Sequence, residues 1–91
     1  MIIKIAASFE RVAKKFHRNQ ISQLEDAIDE LAKNPELGEL KNGDLASIRV
    51  YKFRINNQLM LLAYQYDEIK KEITLLSIGV HENFYRDLKN K

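Results

Sequence analysis

The segment HENFYRDLK, residues 81–89, concentrates groups that can move protons. A histidine side chain ordinarily titrates near neutral pH, so His81 is a candidate to give or take a proton. Glu82 is an alternative base, and Tyr85 adds a hydroxyl and an aromatic ring four residues after the histidine. Earlier in the chain, VYKFRI sets Lys52 and Arg54 two residues apart, the spacing that puts both heads on one side of a β-strand. Cleavage of RNA by its own 2′-hydroxyl needs a base for the hydroxyl proton, an acid for the departing 5′-oxygen and positive charge for the phosphorane. On that chemistry His81 is the acid or base, and Lys52 and Arg54 stabilise the phosphate. Tyr85 stacks on an unpaired base or serves as the acid. Arg49 and Arg86 are further cations for RNA contact. Such a site needs neither metal nor cofactor, and two histidines without a cysteine offer no zinc ligand set.

The closing segment also has a plainer account. Phe84 and Leu88 would dock a short amphipathic helix, Tyr85 would pack flat, Glu82 would favour the helix start and His81 would cap it. A Glu82–Arg86 pair on its surface would contribute only ~0.3–0.5 kcal/mol. Likewise, Lys52 and Arg54 would only keep an exposed sheet face in solution. The two accounts part on whether His81 faces the cation pair.

The elements that would have to bring these groups together can be read from periodicity. MIIKIAA is a β-branched run predicted as a strand, with Ser8 as the N-cap of the helix after it. Phe9, Val12, Ala13 and Phe16 recur at helical spacing, HRNQ breaks or bends that helix, and ISQLEDAIDELAKNP forms a second. Its stripe of Ile21, Leu24, Ala27, Ile28 and Leu31 is apolar, and Asn34–Pro35 stops it. ELGELKNGDLAS is predicted as a loop. Thereafter the period is two: SIRVYKFRI, LMLLAYQY and EITLLSIGV are three strands joined by the turns NNQ and DEIKK. The expected fold is α+β: an N-terminal strand and helical hairpin packed on one face of an antiparallel β-meander, with a short C-terminal helix. Tyr51, Phe53 and Ile55 should lie under the helices. Val50, Lys52 and Arg54 should point to the opposite face, for which the sequence offers no cover. Arg49 falls out of phase with Lys52 and Arg54, at the sheet edge or on the helix side.

At 91 residues the chain is expected to be one domain, 1–91, and its 45% hydrophobic content is that of a folded protein. The absence of cysteine excludes disulfides. No apolar run is long enough for a signal peptide or a membrane span, so a soluble, cytoplasmic protein is expected. A net charge of +2 is too small to name a partner. The placement of the charge matters more.

The order of parts, with the loop LGELKNGDL, the strand VYKFRI and the closing SIGVHENFY, resembles the RelE/ParE superfamily of toxins from bacterial type II toxin–antitoxin systems. HENFYRDLK looks like the mark of a subgroup. The resemblance runs from about Ile2 to Lys89. It implies either of two activities: RelE-like members cut mRNA in the ribosomal A site, and ParE-like members inhibit DNA gyrase without cutting RNA. A non-toxic relative that only binds its antitoxin is a third alternative. Lys52 and Arg54 match the basic residues of the RelE-like sheet face. His81 with Tyr85 four residues on resembles the C-terminal His-x-x-x-Phe of some ribosome-dependent nucleases. RelE-like members also carry an arginine early in the strand after the hairpin. Here Met60, Leu61 and Leu62 stand in its place ahead of Tyr64, leaving Arg49 or Arg86 to replace it. Family membership further implies a heteromeric complex with a cognate antitoxin, whose extended acidic segment would cover the cations and the helix-hairpin groove.

Overall fold

Alternating apolar and polar side chains in the second half, and i/i+3/i+4 spacing in the first, produce seven elements in a computed structural model of the chain, which describes residues 1–41 and 47–80. They are β1 (Ile2–Ile5), α1 (Ala7–Ala13), α2 (Arg18–Lys33), β2 (Glu39–Leu40), β3 (Arg49–Ile55), β4 (Gln58–Asp67) and β5 (Glu72–Val80). The strands form one sheet in the order β1-β5-β4-β3-β2. The meander β3–β4–β5 is antiparallel throughout. β1 adds parallel to β5, with Ile2 opposite Glu72 and Ile5 opposite Leu75. The helical hairpin lies between β1 and the later strands in the chain and covers one face of the sheet.

Three local expectations are corrected. Ser8 does not cap α1: Ala6 occupies that position in extended conformation, and Ser8 lies inside the first turn. Its hydroxyl donates instead to the Leu76 carbonyl oxygen at 2.6 Å, tying α1 to β5. The segment ELGELKNGDLAS is not wholly irregular, because Glu39 and Leu40 pair with Val50 and Arg49 as the edge strand β2. The face opposite the helices is not bare. Val50, Leu61 and Ala63 are buried there as a second, smaller apolar cluster, with Ile48 and Leu76 packed against it. The HRNQ break is present, with His17 as the N-cap of α2 and its backbone N–H donating to Gln20 Oε1 at 2.7 Å.

The main core lies between the helices and the sheet. Phe9, Leu24 and Leu31 meet Ile55, Met60, Leu62, Tyr64, Ile73, Leu75 and Ile78. Tyr51 and Phe53 complete it as a stacked pair with ring centroids 5.8 Å apart. A register shift at Ala63/Tyr64 explains how EITLLSIGV serves both faces: Tyr64 pairs with Leu75 and Ala63 with Ser77, so Leu76 is the extra residue of a bulge. Ile73 and Leu75 therefore face the helices, while Leu76 turns to the second cluster.

Candidate functional site

Alternation along β3 puts Lys52 and Arg54 on the strand face away from the helices, and both are exposed; Arg54, near the turn, also borders the groove between β3 and α2 with Gln23, Asp26 and Glu30. Two positions along a strand separate their Cα atoms by roughly 6.6 Å, so both heads can address one phosphate group or two successive ones. Lys52 lies opposite Leu61 of β4, which lies opposite Gly79 of β5; Arg54 lies opposite Leu59. β5 ends at Val80, opposite Met60, which in turn lies opposite Phe53. The strand thus ends, at Val80, toward the end of the sheet where Arg54 stands. His81, Glu82, Tyr85 and Arg86 lie outside the described residues, as does the predicted C-terminal helix.

The hairpin that carries Arg54 is fixed from two sides. Its turn residues Asn56 and Asn57 have φ of 49° and 69°, a left-handed pair that asparagine tolerates. Gln23 of α2 grips the turn: its Oε1 accepts from the Asn56 backbone N–H at 3.0 Å and its Nε2 donates to Asn56 Oδ1 at 2.8 Å. Arg54 Nη1 donates to the Asn57 carbonyl oxygen at 2.8 Å. One of five guanidinium N–H donors is used there, so the rest of the fork can still meet an anion.

The same face carries a charge pair in the segment expected to be loop. Glu39 Oε1 and Lys41 Nζ are 2.7 Å apart. The Lys41 hydrogen bond and charge, with a smaller contribution from Lys52, hold the Glu39 carboxyl below its ordinary value. The signal in the sequence was the alternation of Glu39 and Lys41 about Leu40, too short to stand out as a strand.

Arg49 belongs elsewhere. It lies on the helix side, where its Nη1 donates to the Gly38 carbonyl oxygen at 2.8 Å and to that of Glu36 at 3.3 Å. It secures the segment after α2 and does not join Lys52 and Arg54. The strand that lacks the expected arginine adds no cation either. Of Met60, Leu61 and Leu62, only Leu61 faces the cation side, and it is fully buried. Tyr64 is on the helix side: its hydroxyl donates to the Pro35 carbonyl oxygen at 2.7 Å and accepts from Gly38 N–H at 2.8 Å.

Among the described residues no cluster of three or more His, Cys, Asp or Glu could hold a metal ion. Among them also, no helix is long and apolar enough to cross a membrane.

Solved structures share this fold. The toxin chain of the intact E. coli RelBE toxin–antitoxin complex superposes with a TM-score of 0.71 at 18% identity, over 89% of this chain and 96% of that one. The RelBE2 toxin–antitoxin complex of Mycobacterium tuberculosis gives 0.73 at 17%, over 88% and 96%. The YoeB/ParE toxin from Agrobacterium tumefaciens gives 0.71 at 17%, over 89% and 99%. At these identities the likeness is one of fold. A comparison with curated proteins gave no match. The profile of ParE-like toxins of type II bacterial toxin–antitoxin systems matches residues 3–89, nearly the whole chain, and the chain therefore belongs to that family.

Proposed function

We propose that this toxin is a metal-free endoribonuclease that cuts mRNA on the ribosome and is neutralised by a cognate antitoxin. One observation carries the reading: Lys52 and Arg54 stand exposed on the same sheet face, and β5 ends at Val80 beside their rows, immediately before His81 in the sequence. In this mechanism the two cations hold the scissile phosphate and offset the charge that grows on its oxygens as the 2′-hydroxyl attacks. His81 transfers the proton, with Glu82 as an alternative base. Tyr85 stacks on a neighbouring base or protonates the departing 5′-oxygen. Arg86 is the cation that would replace the arginine missing from β4, because Arg49 is committed to carbonyl oxygens on the other face.

A second reading, inhibition of DNA gyrase, is favoured by two observations. The matching family profile is that of ParE-like toxins, and β4 brings Leu59, Leu61 and Ala63 but no cation to the charged face. The solved complexes of similar toxins with antitoxins support a protein partner for this chain in either case.

Induced expression of the wild type, His81→Ala and Lys52→Ala/Arg54→Ala, each without antitoxin, separates the readings. Growth, primer-extension cleavage of a reporter mRNA and plasmid supercoiling are measured together. Cut mRNA that disappears in His81→Ala and in the double variant is expected. Intact mRNA with altered supercoiling that ignores His81 would overturn the nuclease reading in favour of gyrase.

A further inference from the structure

β1 is an edge strand, and α2 leaves its outer side uncovered. Ile3 and Ile5 face the helices, as their partners Ile73 and Leu75 do, yet they remain 36% and 54% exposed. Together with Ile28 they floor a groove between β1 and α2, and its rim carries Glu25, Asp26 and Asp29. All three carboxylate residues are exposed, and none joins an ion pair within the described residues. The backbone beside the groove is open as well. Ile2 N–H donates to Lys71 O and Ala6 N–H to Leu75 O, so the alternation of a parallel strand turns the N–H and C=O of Ile3 and Ile5 outward.

We infer that this groove and edge bind an extended segment of the antitoxin in which Lys or Arg alternates with aliphatic residues, added as a sixth strand beside β1. The inference rests on the reading of the chain as a toxin held by an antitoxin, and it adds the chemistry of one contact. A strand laid along β1 satisfies the outward backbone groups of Ile3 and Ile5. Its side chains on the helix side reach the apolar floor and the carboxylate rim, and only cationic or neutral groups are accepted there. An acidic segment suits the Lys52/Arg54 face and is repelled here. A second copy of this chain would bring its own carboxylates to the same place. The antitoxin would thus be bipartite in charge: acidic where it covers β3, basic where it runs along β1.

The test uses fluorescein-labelled decapeptides of alternating Lys–Val or alternating Glu–Val, titrated by anisotropy into the full-length chain. The Lys peptide is expected to bind at least tenfold more tightly than the Glu peptide. Glu25→Gln/Asp26→Asn/Asp29→Asn should weaken the Lys peptide by at least tenfold, whereas Lys52→Ala/Arg54→Ala should leave it within twofold. Equal affinity for the two peptides, or a triple variant that binds as the wild type does, would overturn the inference. So would a wild-type dimer in sedimentation that Ile5→Lys dissolves, because the groove would then hold a second copy. A chain that arrests no growth yet prefers the Lys peptide would remove the toxin reading and leave the groove's preference standing. A chain that arrests growth and binds both peptides alike would do the reverse.

Discussion

The hydroxyl of Tyr64 bridges the Pro35 carbonyl oxygen and the Gly38 N–H, 29 and 26 residues away in the sequence. Gly38 is glycine because of that approach: a Cβ there would lie 2.6 Å from Tyr64 Cε1 and 2.7 Å from its hydroxyl oxygen. Tyr64→Phe should therefore destabilise the fold by about 1–3 kcal/mol, since a buried N–H loses its acceptor. Gly38→Ala should cost about 1–3 kcal/mol through overpacking. Urea midpoints at neutral pH check both. The pH dependence adds a second test. Burial pushes the Tyr64 hydroxyl above its ordinary 10.0, against the opposing pull of the Gly38 hydrogen bond. The folded state thus favours the neutral phenol, and that contribution is complete below pH 10.0 and is lost as pH rises through the folded value. Wild type should lose stability more steeply than Tyr64→Phe above about pH 10. Neither this lock nor the Arg49 bonds to Glu36 and Gly38 was legible in the sequence. Periodicity assigns a face but not the long-range register that decides which carbonyl a side chain reaches. The co-facial placement of Lys52 and Arg54 needed only the period of a strand, and it was legible.

At the scale of elements, the three strands of the meander and both helices arise from local pattern, and β5 has the predicted ends, Glu72 and Val80. What the pattern did not carry was pairing. The parallel partnership of β1 with β5 joins residues some seventy positions apart, and β2 is two residues long, too short for any alternation to mark. The hairpin β3–β4 shows how an element positions an exposed cation. Asn57 holds φ at 69° and lends its carbonyl oxygen to Arg54. Asn57→Ala keeps that carbonyl but places an unfavoured residue in the left-handed region, and it should destabilise by roughly 1–2 kcal/mol. Asn57→Gly should retain or exceed wild-type stability. Thermal melting of the pair checks the turn. If Ala and Gly melt alike, the positive φ is not what fixes the hairpin.

In the whole molecule the two faces of the sheet differ in what they bury and what they expose. Its helix side holds the main core, and its other side combines a small buried cluster of Val50, Leu61 and Ala63 with the exposed heads of Lys52 and Arg54. The two kinds of residue interleave: Lys52 and Leu61 are direct partners across β3 and β4. Substitutions at one cross-strand pair should therefore have opposite signatures. Lys52→Glu/Arg54→Glu reverses exposed charge and removes the Arg54 bond to the Asn57 carbonyl oxygen, so stability should fall by no more than about 1.5 kcal/mol, while growth arrest on induction is abolished. Leu61→Ala removes a fully buried side chain and should cost about 2–5 kcal/mol, reducing folded protein and growth arrest together. Urea denaturation and induced-growth curves on the same variants distinguish the two. A charge-reversed chain that melts as wild type does and still arrests growth would show that the toxin's target does not meet this face, and the nuclease chemistry assigned to it would have to be abandoned.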